Sequence, residues 1–239
     1  MLTWAVDFTK IVAYNVTKSS HGEMEALMVG NSKQAFMQAI QELLVTTPFD
    51  HITVSELSRV TGYSRKSFYK NFIDVYDLIQ QVFRDDLTTT ARNCGFKDYE
   101  SFIDVLSPVL QDSDNGGLYD RYLTNLEEMF YDKRFFYAKA FTVEGPNSLR
   151  SYFCGISFVQ CHKYTQYTAE KLNVSLSDKE VNEIAEYHAT AITEMMVKAL
   201  QSLAKDSNAD KKILRGKAAR RSYKFVYSYI WYLANNTEK

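Results

Sequence analysis

The sequence predicts an all-α protein, and three observations predict it. Apolar residues recur with a period of about 3.6 residues along most of the chain, and no useful stretch alternates as a half-buried strand does. Glycine and proline are scarce, 9 and 3 in 239 residues, which leaves too few turn signals for a sandwich or barrel. The apolar fraction of 46% and charged fraction of 24% are those of an ordinary globule, which excludes wholesale disorder. With 28 basic against 29 acidic residues the chain is not globally basic, yet one local face can still be positive.

Residues 1–31 carry the weakest pattern. Trp4, Phe8, Ile11 and Val12 recur at helical spacing and predict a short amphipathic helix, whereas residues 17–30 are polar or small and read as a linker. Met24 and Met28 offer later translation starts. From 32 the stripe sharpens: Ala35, Phe36, Ala39, Ile40, Leu43 and Leu44 predict a helix over 32–45 that Pro48 ends. Thr53 and Glu56 form a Thr-x-x-Glu capping box that opens a short helix over 54–60. Gly62 can supply the left-handed backbone of a tight turn, and Ser64 a hydroxyl cap for a third helix over 65–72. Asp74 caps a fourth, on which Val75, Leu78, Ile79, Val82 and Phe83 share a face. Further helices are predicted over 98–111, 118–133, 148–171, 177–204 and 217–234, with breaks at Pro108 and 112–117, Gly145-Pro146-Asn147, 173–177 and 206–210.

Two short helices joined by a glycine turn and preceded by a longer one have the layout of a DNA-binding helix-turn-helix. The third helix has suitable chemistry. Ser64, Arg65, Lys66, Ser67, Tyr69, Lys70 and Asn71 are donors, while Phe68 and Phe72, four apart, give a thin apolar edge. Arg65 and Lys66 suit guanine edges; Tyr69, Lys70 and the Thr53 and Ser55 hydroxyls suit phosphate oxygens. On this pattern alone, a helical core element that never meets DNA fits equally well.

The stretch ITVSELSRVTGYSRKSFYKNFIDVYDLI, residues 52–79, resembles the signature of the TetR/AcrR family of transcriptional regulators. The likeness rests on the Thr53-Val54 start, Leu57, the Gly62-Tyr63-Ser64 turn, and Ser67-Phe68-Tyr69 with Phe72, followed by an acidic cap and a Leu-Ile pair. With the first helix it spans residues 32–83 in the right order. A second stretch, FFYAKAFTVEGPNSLRSYF (135–153), is similar to part of the effector domain of some family members. Two departures stand out. Ile73, Asp74 and Val75 occupy positions where the family often has Pro and then Ser/Asn-Lys, so a basic backbone contact is lost at Val75 and Lys70 is the substitute. The extension at 1–31 is also unusual, and reads as a minor-groove arm, a dimer contact or a consequence of start choice.

The resemblance implies an extension (1–31), a helix-turn-helix DNA-binding domain (32–80) and a larger helical effector-binding and dimerisation domain (81–239). It implies a homodimer on a pseudo-palindromic double-stranded operator, answering to an unknown small-molecule effector, with repression favoured over activation by family frequency. Its dimer helices would be the last two. Ile184, Ala191, Ile192, Met195, Met196, Ala199, Leu200 and Leu203 mark a face on one, and Phe225, Tyr229, Tyr232 and Leu233 on the other; such faces also serve simply to close a protomer core. The alternative function is a protein-interaction adaptor of the same fold that has lost operator recognition.

Aromatic residues make up 14% of the chain, with 17 Tyr, 15 Phe and 2 Trp. Phe136, Tyr137, Phe141 and Tyr152, with the polar Asn147, Gln160 and Tyr164, are the candidate lining of an effector pocket; ordinary core packing explains aromatic side chains equally well. Cys154 and Cys161 share a helical face beside His162, which raises a redox or metal sensor, but Cys94, His21, His51 and His188 are too scattered to complete a zinc set. No cofactor or metal is expected. The basic run from Lys205 to Lys224 reads as a solvated connection. No nucleophile elbow, phosphate loop, dinucleotide fingerprint or His-Glu-x-x-His is present, so no enzyme is predicted. An odd cysteine count and the lack of a signal peptide or an apolar run of about 20 residues predict a cytoplasmic protein with no membrane partner.

Overall fold

The computed structural model describes residues 23–103, 117–206 and 217–236, and all regular structure among them is helical. The expected amphipathic helix near Trp4 lies outside the described residues, as do most of the 98–111 helix and the centre of the basic run. Helix α1 (Glu23–Thr46) starts well before 32, so the linker expected over 17–30 is overturned for its last eight residues, 23–30. Residues 23–28 are all good helix formers with no β-branched residue among them, and the single Gly30 costs roughly 1 kcal/mol, too little to stop a helix already propagating on both sides. Pro48 does end it: Pro48 is extended (φ −56°, ψ 139°) and opens a 3-10 turn, Phe49–His51.

Helices α2 (Val54–Thr61), α3 (Arg65–Asn71) and α4 (Val75–Asn93) follow, the first two nearly where expected. α1 packs on all three and buries Phe36, Met37, Ala39, Ile40 and Leu44 among them. These four helices form a head.

The body contains α5 (Leu118–Asp132), α6 (Arg134–Ala140), α7 (Leu149–Lys171), α8 (Asp178–Lys205) and α9 (Lys217–Asn236). α6 is absent from the sequence reading. Lys133 alone separates it from α5 and caps neither end with its side chain, so no local signal marks the break. α7 and α8 are the main antiparallel pair of the body, α6 packs on α8 and α1, and α9 lies on both α7 and α8. Ser148 caps α7, and Ser177 with Glu180 completes a capping box on α8. A single apolar cluster runs from Phe36, Leu57 and Phe68 in the head to Tyr137, Phe153 and Ile230 in the body.

The two faces marked for dimerisation differ in what they do within one protomer. On α8, Ile192, Leu200 and Leu203 are buried in the protomer core, Ile184, Ala191, Met196 and Ala199 are half-buried, and Met195 is exposed. On α9, Phe225, Tyr229 and Tyr232 are exposed, and Leu233 is half-buried. No described helix is long and apolar enough to cross a membrane.

Candidate nucleic-acid interface

The turn between α2 and α3 is built from local chemistry. Thr53 is the N-cap of α2, and its hydroxyl oxygen accepts the Glu56 N–H at 3.1 Å. The reciprocal half of the capping box does not form. The Glu56 carboxylate instead takes two guanidinium N–H groups of Arg59, at 2.6 and 2.9 Å. That hydrogen-bonded pair holds the Glu56 carboxyl below the ordinary carboxylate range. Gly62 closes α2 in the left-handed region (φ 73°, ψ 0°) and donates its N–H to the Ser58 carbonyl at 3.0 Å. Space around its α-carbon is open, so it is the backbone angle that calls for glycine. Ser64 then caps α3 by accepting the Ser67 N–H at 3.2 Å.

α3 is seated by rings. Phe68 is fully buried and Phe72 nearly so, and Phe36 of α1 meets Phe68 edge-on at 5.2 Å and Phe72 at 6.3 Å. With that edge turned inward, Arg65, Lys66, Tyr69 and Lys70 project outward together, all exposed, and α3 carries no acidic residue. The Tyr69 ring is 54% exposed and braced edge-on against Phe68 at 5.4 Å. Thr53, Ser55 and Ser64 are exposed beside them, and Ser67 is half-buried with its hydroxyl 3.1 Å from that of Ser64.

Asn71, the last of the candidate donors, is half-buried and turned into the head. Its side-chain amide donates to the Ser32 hydroxyl at 3.2 Å and to the Ser67 carbonyl at 2.8 Å, which ties the end of α3 to α1. Both N–H donors are engaged within the head, where they hold the end of α3 against α1. Ser32 was missed because the pair is 39 residues apart and no local pattern joins them. Ile73, one of the departures from the family pattern, is exposed; its N–H donates to the Asp77 carboxylate at 3.0 Å, alongside the Asp74 cap that starts α4.

The seven candidate effector residues fall in three places. Phe136, Tyr137 and Phe141 are buried in an aromatic cluster with Phe83, Phe130 and Phe153. There the Tyr137 hydroxyl donates to the Asp86 carboxylate, which also accepts from Lys133 Nζ at 2.7 and 2.9 Å. Burial raises the Tyr137 hydroxyl well above its ordinary pKa, so it remains a donor. Asn147 is exposed and Tyr152 half-buried, the latter with the Arg84 guanidinium 5.5 Å from its ring. Gln160 lies below α9: it donates to the Tyr99 hydroxyl and accepts from that of Tyr223 at 3.4 Å, while Tyr164 packs against Tyr223 at 4.7 Å.

Two open grooves are lined by described residues, of about 340 and 350 Å³. Of the seven candidates only Phe141 reaches either of them, so these residues do not form one shared lining there. Cys161 is buried and its thiol is pushed up to about 12, chiefly by burial, which disfavours the reactive thiolate.

No protein-family model and no curated protein sequence matches the chain. Among solved structures, the chain is similar to the dihydroxyacetone kinase operon activator DhaS, at 18% identity over 87% of this chain and 98% of that one, with a TM-score of 0.45.

Proposed function

We propose that the protein is a DNA-binding transcriptional regulator that grips a pseudo-palindromic operator as a homodimer. One observation carries this reading: α3 hides both phenylalanines against α1 and presents Arg65, Lys66, Tyr69 and Lys70 outward, with no acid on the helix. A helix docked in a major groove needs that division, with its amino-terminal end toward the bases. Arg65 and Lys66 read base edges; Thr53, Ser55, Ser64, Ser67, Tyr69 and Lys70 hold the backbone; Asn71 keeps α3 at its angle to α1.

The second copy docks on α9, where Phe225, Tyr229 and Tyr232 stand exposed, with Met195 of α8. Two-fold symmetry then sets the two α3 helices about 35 Å apart, one turn of duplex. A small-molecule effector acts by favouring one arrangement of the heads over another, which requires different affinity for the two arrangements. The resemblance to TetR-type regulators makes repression the expected sign.

Selection of bound duplexes from a random pool tests the reading, with wild type beside an Arg65→Ala/Tyr69→Ala double variant. An inverted repeat enriched by wild type alone supports it. A folded dimer that enriches nothing, with or without cell extract, turns the assignment toward a protein-interaction adaptor of the same fold.

A further inference from the structure

α4 belongs to both halves of the molecule, and its first two turns hold the connection. Tyr76 and Gln80, one helical turn apart on the same face, are donors that reach the turn between α6 and α7. The Tyr76 hydroxyl donates to the Glu144 carbonyl at 3.1 Å, and the Gln80 amide to the Asn147 carbonyl at 2.7 Å. Both acceptors are backbone atoms, so the grip reads the path of the turn and not its side chains.

The other side of the same tyrosine faces the head. Its ring centroid lies 5.0 Å from that of Phe49, in the 3-10 turn joining α1 to α2. One side chain therefore touches the α1–α2 connection and the α6–α7 turn at once. Gly145 makes the close approach possible. Its φ is +129°, which side-chain-bearing residues rarely adopt, and an added β-carbon would stand 3.3 Å from the Tyr76 hydroxyl. The turn is anchored to the body by the Ser148 N–H, which donates to the Gly145 carbonyl at 3.1 Å and belongs to the cap of α7.

An open groove adjoins the gripped turn, with Glu144 and Gly145 in its wall. Thr142 and Val143 separate the two open grooves; the far wall of one is residues 44–49 of the head, and the far wall of the other includes Val197 and Gln201 of α8. We infer that the Tyr76–Gln80 grip on the 144–147 turn is the joint that sets the angle of the head on the body, with Gly145 as the residue that lets it close. The inference rests on the head being the DNA-binding part; the joint then determines the spacing of the two α3 helices in the dimer.

The test uses the full chain with Tyr76→Phe, which removes one hydroxyl and keeps the ring, and separately Gly145→Ala. Amide exchange decides whether the joint exists, independently of DNA. Tyr76→Phe should speed exchange about tenfold in the 144–148 turn, which the hydroxyl holds, and leave the 49–52 turn, which meets only the retained ring, close to wild type. Exchange in the 144–148 turn at the wild-type rate overturns the inference. Binding to selected duplexes decides what the joint does. Wild type should prefer one spacing between half-sites by about tenfold, and both variants should flatten that preference while binding a lone half-site within about twofold of wild type. A spacing preference as sharp as wild type overturns it. Wild type that binds no duplex overturns the DNA-binding reading, and the exchange result still decides whether Tyr76 joins the two parts.

Discussion

α3 and α9 are both exposed helices, and they are exposed in opposite ways. α3 buries Phe68 and shows cations, hydroxyls and the single ring of Tyr69. α9 buries Ser222, Tyr223, Val226 and Ile230 and leaves Phe225, Tyr229, Trp231 and Tyr232 between 50% and 66% exposed. Charged groups lose little by standing in water, so α3 can wait for a partner and release it as salt rises. Exposed rings forgo about 25 cal/mol for every Å² left in water, so α9 is suited to a contact that stays closed. The contrast teaches that a transient polar partner and a permanent apolar one are expected on different helices of the same chain.

The strongest way to break the contrast is at α9. Replacing Phe225, Tyr229 and Tyr232 together by alanine should convert the proposed dimer to monomer at micromolar concentration in sedimentation, since interface aromatics often contribute about 2 kcal/mol or more each. An unchanged dimer would mean that the second copy docks elsewhere. Next comes Phe68→Ala in α3. It removes a fully buried ring that Phe36 and Phe72 pack against, and should lower stability by about 3–5 kcal/mol in denaturant unfolding. Sedimentation of that variant should still show a dimer if head and body do separate tasks.

What could be read from the sequence follows the range of the interactions. Thr53, Ser64 and Asp74 were legible as caps because a cap binds an N–H three residues on. Phe68 and Phe72 were legible as the inner edge of α3 through their spacing. Long-range contacts left no such trace. Asn71 reaches Ser32, Tyr76 reaches Glu144, and Tyr137 reaches Asp86, each across tens of residues. Aromatic content pointed to a pocket at Phe136, Tyr137 and Phe141, but the same rings fill a core equally well, and burial separates the two uses only once the helices are packed.

A smaller effect sharpens the polar side. Arg65→Ala should cost about 1–3 kcal/mol at one base position and relax preference there. Lys70→Ala should weaken all duplexes alike and reduce the salt slope by about 1. Binding isotherms across salt and single-base operator variants check both; if the two substitutions behave alike, the division of α3 between bases and phosphates is wrong.

The smallest effect separates the two regions by pH. His188, on the buried side of α8, has its pKa lowered from 6.5 because burial penalises the charged ring, whereas His51 in the head is exposed. In the unfolded chain His188 takes its proton at the ordinary value, before the folded chain does. Its contribution to stability is therefore fully present above pH 6.5 and is lost as the pH falls below that value toward the lowered one. His188→Gln removes the titrating group. Its melting temperature should fall less than that of wild type as the pH is lowered from 6.5, and equal slopes would place the acid sensitivity in other groups. Amide exchange at the lower pH should then show faster opening in α8 than in α3, because the proton enters the body and leaves the packing of Phe68 on Phe36 untouched.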